Sequence, residues 1–216
     1  MNNIIILSLI IILSNIAEPK EQKPSDTKYF EGIISYKSDF IKKTNKFDSA
    51  TIALIAGRPN TFYTKEGNLL TTIENGITTR LLYRKDQNKF YREKFNSDSV
   101  YWTRCDQPGQ KILKFTKISK VEKIMGIECD ELKVYYENKT VSYYYNSDTL
   151  KLNPEWHKEF TFYNQDFYSQ EMKSYYLKSV VELEDFISIE TATKISTQKL
   201  SDNVFKIPNK PLVEAE

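Results

Sequence analysis

The side chains best suited to bond-making chemistry in this chain are the single histidine, His157, the two cysteines, Cys105 and Cys129, and the carboxylates Asp98, Asp106, Asp130 and Glu131. A hydrolase would use the histidine as a base beside a serine or cysteine nucleophile, but no serine or cysteine here has the surroundings of a nucleophile elbow or a Cys/His dyad. His157 follows Trp156 in a segment opened by Asn153-Pro154, which places it on the surface or at a helix cap. Two cysteines and one histidine fall short of a structural zinc set. The four carboxylates lack the spacing of a calcium loop. No catalytic residue, metal site or cofactor is expected, and the chain reads as a non-enzyme.

Cys129 has no CxxC partner and no nearby histidine to depress its thiol pKa, which favours a structural role for it. As an even pair in a chain with an export segment, Cys105 and Cys129 read as a disulfide ahead of two unpaired thiols. Twenty-three residues lie between them, and closing that loop would contribute about 3 to 4 kcal/mol in the chain-entropy account.

The export reading comes from the N-terminus. Ile4 to Leu13 is an almost pure Ile/Leu run, too short for a bilayer span of roughly twenty residues. Ser14-Asn15-Ile16-Ala17 then ends in a small residue, so residues 1–17 read as a signal peptide, although Met1-Asn2-Asn3 carries no Lys or Arg. No cysteine follows Ala17 to take a lipid anchor. Residues 18–27, with Pro19 and Pro24, read as a polar tether. The expected location is periplasmic or secreted. Thirty-one Lys plus Arg against twenty-nine Asp plus Glu give +2, too balanced for a nucleic-acid partner.

The elements that must position these residues are mostly strands. Tyr, Phe and Thr are plentiful, which suits a pleated surface. Residues 28–216 form one domain on the length prior. Phe30, Gly32, Ile34 and Tyr36 alternate with Glu31, Ser35 and Lys37 as a half-buried first strand. Residues 50–56 read as a short buried strand in preference to two helical turns closed by Gly57. Turn signals at Gly67, Asn75-Gly76, Asp86-Gln-Asn88 and Asn96 to Ser99 divide the next fifty residues into an antiparallel meander. Lys111, Lys114, Lys117, Lys120 and Lys123 recur every three residues, a spacing that makes a basic stripe on neither helix nor strand. They belong to an irregular strand leading to a Met125-Gly126 turn. Leu132, Val134 and Tyr136 then alternate, Asn153-Pro154 opens a short helix near residues 154–160, and Tyr163 to Met172 reads as a loop. A last hairpin turns at Glu184-Asp185. The cluster Tyr83, Arg84, Lys85, Lys89, Phe90, Tyr91, Arg92, Lys94, Phe95 is either a membrane or anionic-lipid surface or a hairpin with one core and one solvated face.

Three segments carry a family resemblance: Lys123-Ile-Met-Gly-Ile-Glu-Cys129, Tyr143 to Pro154 with its Leu-Lys-Leu-x-Pro close, and Thr191-Ala-Thr193 with Leu200-Ser-Asp-Asn-Val-Phe205 and Pro208. In these the chain resembles the LolA/LolB-like lipoprotein-localisation superfamily, near the GLPGLI-type envelope proteins. Ile127 stands where the family turn commonly has an aromatic. The resemblance implies a mainly β fold, a strongly curved antiparallel sheet forming an incomplete barrel, with a short helix or loop across its concave face. It also implies non-covalent binding of a hydrophobic or lipid-like ligand, as carrier or sensor. Phe30, Ile34, Leu132, Val134, Tyr136, Leu177 and Val181 are the candidate ligand-lining positions, wall in an open hemibarrel and plain core in a closed one. The competing reading is an envelope interaction or scaffold module with a filled core, its protein partner unspecified.

Overall fold

A computed structural model describes residues 28–215, so the expected signal peptide and the tether lie outside the described residues. Twelve strands make one sheet: β1 (Gly32–Lys42), β2 (Arg58–Lys65), β3 (Asn68–Glu74), β4 (Thr78–Arg84), β5 (Lys89–Lys94), β6 (Val100–Arg104), β7 (Lys114–Ile124), β8 (Ile127–Tyr135), β9 (Thr140–Tyr145), β10 (Tyr176–Glu182), β11 (Phe186–Thr197) and β12 (Leu212–Glu214). Two short helices join them, α1 (Ser49–Ala56) and α2 (Gln165–Met172).

Local turn chemistry explains how tightly the hairpins close. Met125 and Gly126, at φ 51° and 80°, occupy the two left-handed positions of a turn that pairs Ile124 with Ile127. Glu66 and Gly67, at φ 49° and 87°, do the same between β2 and β3. Left-handed pairs match the right-handed twist of the strands they join. From β1 the meander runs outward through β2, β3, β4, β5 and β6. From β11, which pairs antiparallel with β1, it runs the other way through β10, β9 and β8 to β7. The outermost strands, β12 and β7, do not pair, and the strongly curved sheet stays open as an incomplete barrel. All pairings are antiparallel except β12 on β6.

Both faces of the sheet are covered by chain. Residues 146–175, between β9 and β10, cross the concave face and reach both arms. The segment after β11 crosses the opposite face of the β1–β6 arm. There Leu200 and Phe205 are buried against Leu70, Leu82, Tyr91 and Val100. Arg80 donates to the carbonyls of Val204 and Lys206, and Arg84 to that of Phe205.

Two local expectations are corrected. Residues 50–56 are helical in α1, because the Asp48 carboxylate accepts the Thr51 N–H at 2.7 Å and Gly57 ends the turn at φ 71°. Such a cap satisfies a donor that a helix start otherwise leaves free. Tyr163 to Met172 is an ordered turn and α2, which buries Tyr168, Ser169 and Met172 together. Its buried set mixes a tyrosine and a serine with a methionine, so no apolar period announced it. The short helix expected near residues 154–160 is present as a single 3₁₀ turn, Pro154–His157. The lysine-rich β7 is an exposed edge strand broken by a register shift between Ile118 and Glu122.

Candidate functional site

The concave face begins with Ile34 of β1, in register with Phe62 of β2 and Ile195 of β11. Over it lies the 146–175 crossing, fixed to the β2–β3 turn by His157. Imidazole Nδ1 lies 2.9 Å from Ser169 Oγ, and Nε2 lies 3.0 Å from the Gly67 carbonyl. A carbonyl only accepts, so Nε2 carries the proton and the serine hydroxyl donates to Nδ1. The ring is fully buried, which pushes its pKa down to about 4. The surface or cap position expected for His157 is thus replaced by an internal neutral pin, with neither nitrogen free for acid/base work. Phe160 stacks on Tyr83 at 4.1 Å beside it.

On the other arm the crossing meets a chain of tyrosines. The Tyr136 and Tyr168 hydroxyls bond each other, and ring contacts run from Tyr168 to Tyr143 (4.7 Å), to Tyr176 (5.3 Å) and to Tyr36 (5.2 Å). The chain ends at Glu190, whose carboxylate accepts from Tyr176 Oη at 2.8 Å. Burial raises the Glu190 pKa. Beneath the crossing the interior is nearly full: about 70 Å³ remains among Phe62, Leu69, Tyr143, Met172, Tyr175 and Tyr176.

Two further cavities lie at the mouth. Residues 105–113 bridge from the end of β6 to the start of β7, across the gap in the barrel. Thr161 Oγ1 donates to the Gln107 carbonyl at 2.8 Å, and Asn164 Nδ2 to that of Gln110 at 2.9 Å. Between this bridge and strands β9 and β10 opens a cavity of about 430 Å³, bordered by Tyr136, Lys139, Val141, Tyr143, Tyr163 and Val181. Tyr163 also borders a second cavity of about 250 Å³, whose walls include Ile55, Ile73, Ile77, Leu81, Phe90 and Arg92. Neither cavity has a carboxylate in its lining. Lys139 lies 4.9 Å from the centre of the Tyr136 ring, and burial lowers its pKa. Arg92 donates from Nη2 to Thr103 Oγ1 at 3.1 Å, while its Nε–H is buried with no acceptor. An unmet buried donor on a cation costs about 1–3 kcal/mol or more.

Of the positions expected to line a ligand site, Tyr136 and Val181 border the large cavity. Phe30, Ile34 and Leu177 pack in one core cluster, and Leu132 and Val134 pack beneath α2 in another. Sequence reasoning missed Tyr163 and the 105–113 bridge, which have no periodicity to reveal them. Arg92 stood within the aromatic and basic cluster, and that hairpin has two faces, with Tyr91 under the C-terminal crossing and Phe90 and Arg92 at the cavity.

The expected disulfide is also corrected. Both thiols are free and buried, Cys105 against Tyr83 and Phe160 and Cys129 in the cluster with Ile34 and Leu150. The two residues fall at the ends of opposite arms, in separate clusters. Burial pushes the Cys105 pKa up to about 12 and raises that of Cys129, so both stay protonated. No group of three or more His, Cys, Asp or Glu side chains able to hold a metal occurs among the described residues.

No protein-family model matches the sequence, and no curated protein matches it. Solved structures do match. PNGF-II, in two crystal forms, aligns at TM-scores of 0.50 and 0.52 with 17% identity over 86% and 87% of this chain. The chain spans only about a third of those proteins, 32% and 31% of their length. A LolA superfamily protein from Nitrosomonas europaea aligns at a TM-score of 0.38 and 9% identity, over 84% of this chain and 92% of that one. At these identities the likeness is one of fold. The open, curved antiparallel sheet with a covered concave face is the incomplete-barrel architecture expected from the sequence.

Proposed function

We propose that this is an exported, non-enzymatic envelope protein that holds a hydrophobic or lipid-like ligand at the open mouth of its sheet, as a carrier or a sensor, in the periplasm or outside the cell. The observation that carries the reading is the cavity of about 430 Å³ walled by Tyr136, Val141, Tyr143, Tyr163 and Val181. Its size falls within the range of small-molecule sites, and its lining is aromatic and aliphatic with a few polar groups. The filled space beneath the 146–175 crossing confines a ligand to the mouth, unless the crossing moves.

That filled interior is also what favours the second reading, an envelope interaction or scaffold module. In it the exposed edge strand β7, with Phe115, Ile118 and Val121 uncovered, would pair with a protein partner. Native mass spectrometry of protein purified without detergent, followed by lipid extraction, separates the two. A bound or exchangeable acyl species that is lost in Val181→Trp, which fills the cavity, supports the ligand reading. Absence of any such species from the unsubstituted protein removes it and leaves the scaffold.

A further inference from the structure

The two mouth cavities share an electrostatic property that an apolar ligand alone does not explain. Each has one cation in its lining, Lys139 in the larger and Arg92 in the smaller, and neither has an acid. Three of the other four arginines are paired with an acid: Arg80 with Glu93, Arg84 with Asp86 and Arg104 with Asp106. Arg92 forms no ion pair among the described residues, and its one side-chain partner there is a neutral hydroxyl, Thr103 Oγ1 at 3.1 Å. Its Nε–H is enclosed with no acceptor. A guanidinium presents its donors as a planar fork that matches a carboxylate or phosphate. Around it, Ile55, Ile73, Ile77, Leu81 and Phe90 form an apolar wall.

We propose that the ligand is an anionic amphiphile, a carboxylate or phosphate on an apolar chain, whose charged group is held by Arg92 in the smaller cavity. This rests on the reading of the mouth as a hydrophobic-ligand site and specifies the ligand's chemistry. The apolar part lies along Ile77 and Phe90 and passes Tyr163, which borders both cavities, toward the larger one. A bound anion neutralises a cation in the cavity lining that no protein carboxylate balances. An uncharged amphiphile fills the same walls and leaves that charge unbalanced.

The test uses three probes on the purified protein: a dansyl-labelled eleven-carbon fatty acid, its methyl ester and a single-chain phosphatidate, read by fluorescence directly or by displacement. Unsubstituted protein is expected to bind the acid at least tenfold more tightly than the ester. Arg92→Met is expected to lose that preference while keeping the ester affinity, and Arg92→Lys to keep part of it. Relative binding of acid and phosphatidate identifies which anion the site prefers. Equal binding of acid and ester by the unsubstituted protein overturns the anion assignment alone, as does an Arg92→Met protein that is folded by circular dichroism and keeps the preference. If neither acid nor ester binds, the hydrophobic-ligand reading fails and this inference with it.

Discussion

His157 shows how a single side chain can be misplaced by sequence reasoning and still make a sharp prediction. Its partners Gly67 and Ser169 lie 90 and 12 residues away, so nothing near Trp156 in the sequence announced them. Burial holds the folded-state pKa at about 4, below the ordinary value of 6.5. Between those values the unfolded chain takes up a proton that the folded one refuses, so stability is full above pH 6.5 and falls as the pH drops toward 4. A gap of that size corresponds to about 3 kcal/mol. Urea unfolding between pH 7.5 and 4.5 is expected to show a steeper loss for the unsubstituted protein than for His157→Gln. A stability difference between the two that is flat with pH would contradict the neutral, enclosed imidazole. The cysteines teach the same lesson differently: their number was even, but pairing depends on which strands the chain brings together.

At the scale of elements, strands were legible wherever one face is covered, because alternation records that burial directly. Leu132, Val134 and Tyr136 on and just beyond β8 are the plainest case, all three buried in one cluster. Turns were legible too, since Gly126 supplies the backbone that a two-residue hairpin needs. What escaped was the covering chain. The helix α1 rests on its Asp48 cap, and α2 mixes tyrosine, serine and methionine on its buried side. The C-terminal crossing read only as an ending, yet Phe205 is 2% exposed among six mutually packed core residues. Phe205→Ala is expected to cost about 3–5 kcal/mol, the usual range for emptying a buried aromatic site. The midpoint of urea unfolding measures it, and a change under 1 kcal/mol would mean that the crossing is not docked on the sheet.

For the whole molecule, the curved open sheet was foreseen, while the location of its free space was not. Seven inward positions were candidates for the wall of a cavity, and six of them are buried in packed clusters, Tyr136 among them at the border of the large cavity. The cavity of about 430 Å³ lies where strands stop and irregular chain begins, around Tyr163 and the 105–113 bridge. Periodicity cannot reveal such a place, because it is defined by segments that have none.

The pairing of β1 with β11 joins the two arms through residues far apart in the chain, Gly32 with Thr197 and Lys42 with Phe186. Every other pair, apart from β12 on β6, joins strands that are neighbours in sequence order. Hairpins can therefore form early on each side, while the seam must await the closure of a very long loop, the slow kind of step in β proteins. Ile34→Val, at the seam, is expected to speed unfolding and to leave the refolding rate within about twofold, as stopped-flow kinetics would show. During synthesis the first six strands emerge with the β1 edge unpaired until β11 arrives and one face bare until residues 200–205 follow. Such a chain depends on β11 and the segment after it for closure, and in the interval it presents an adhesive edge that a chaperone can hold open.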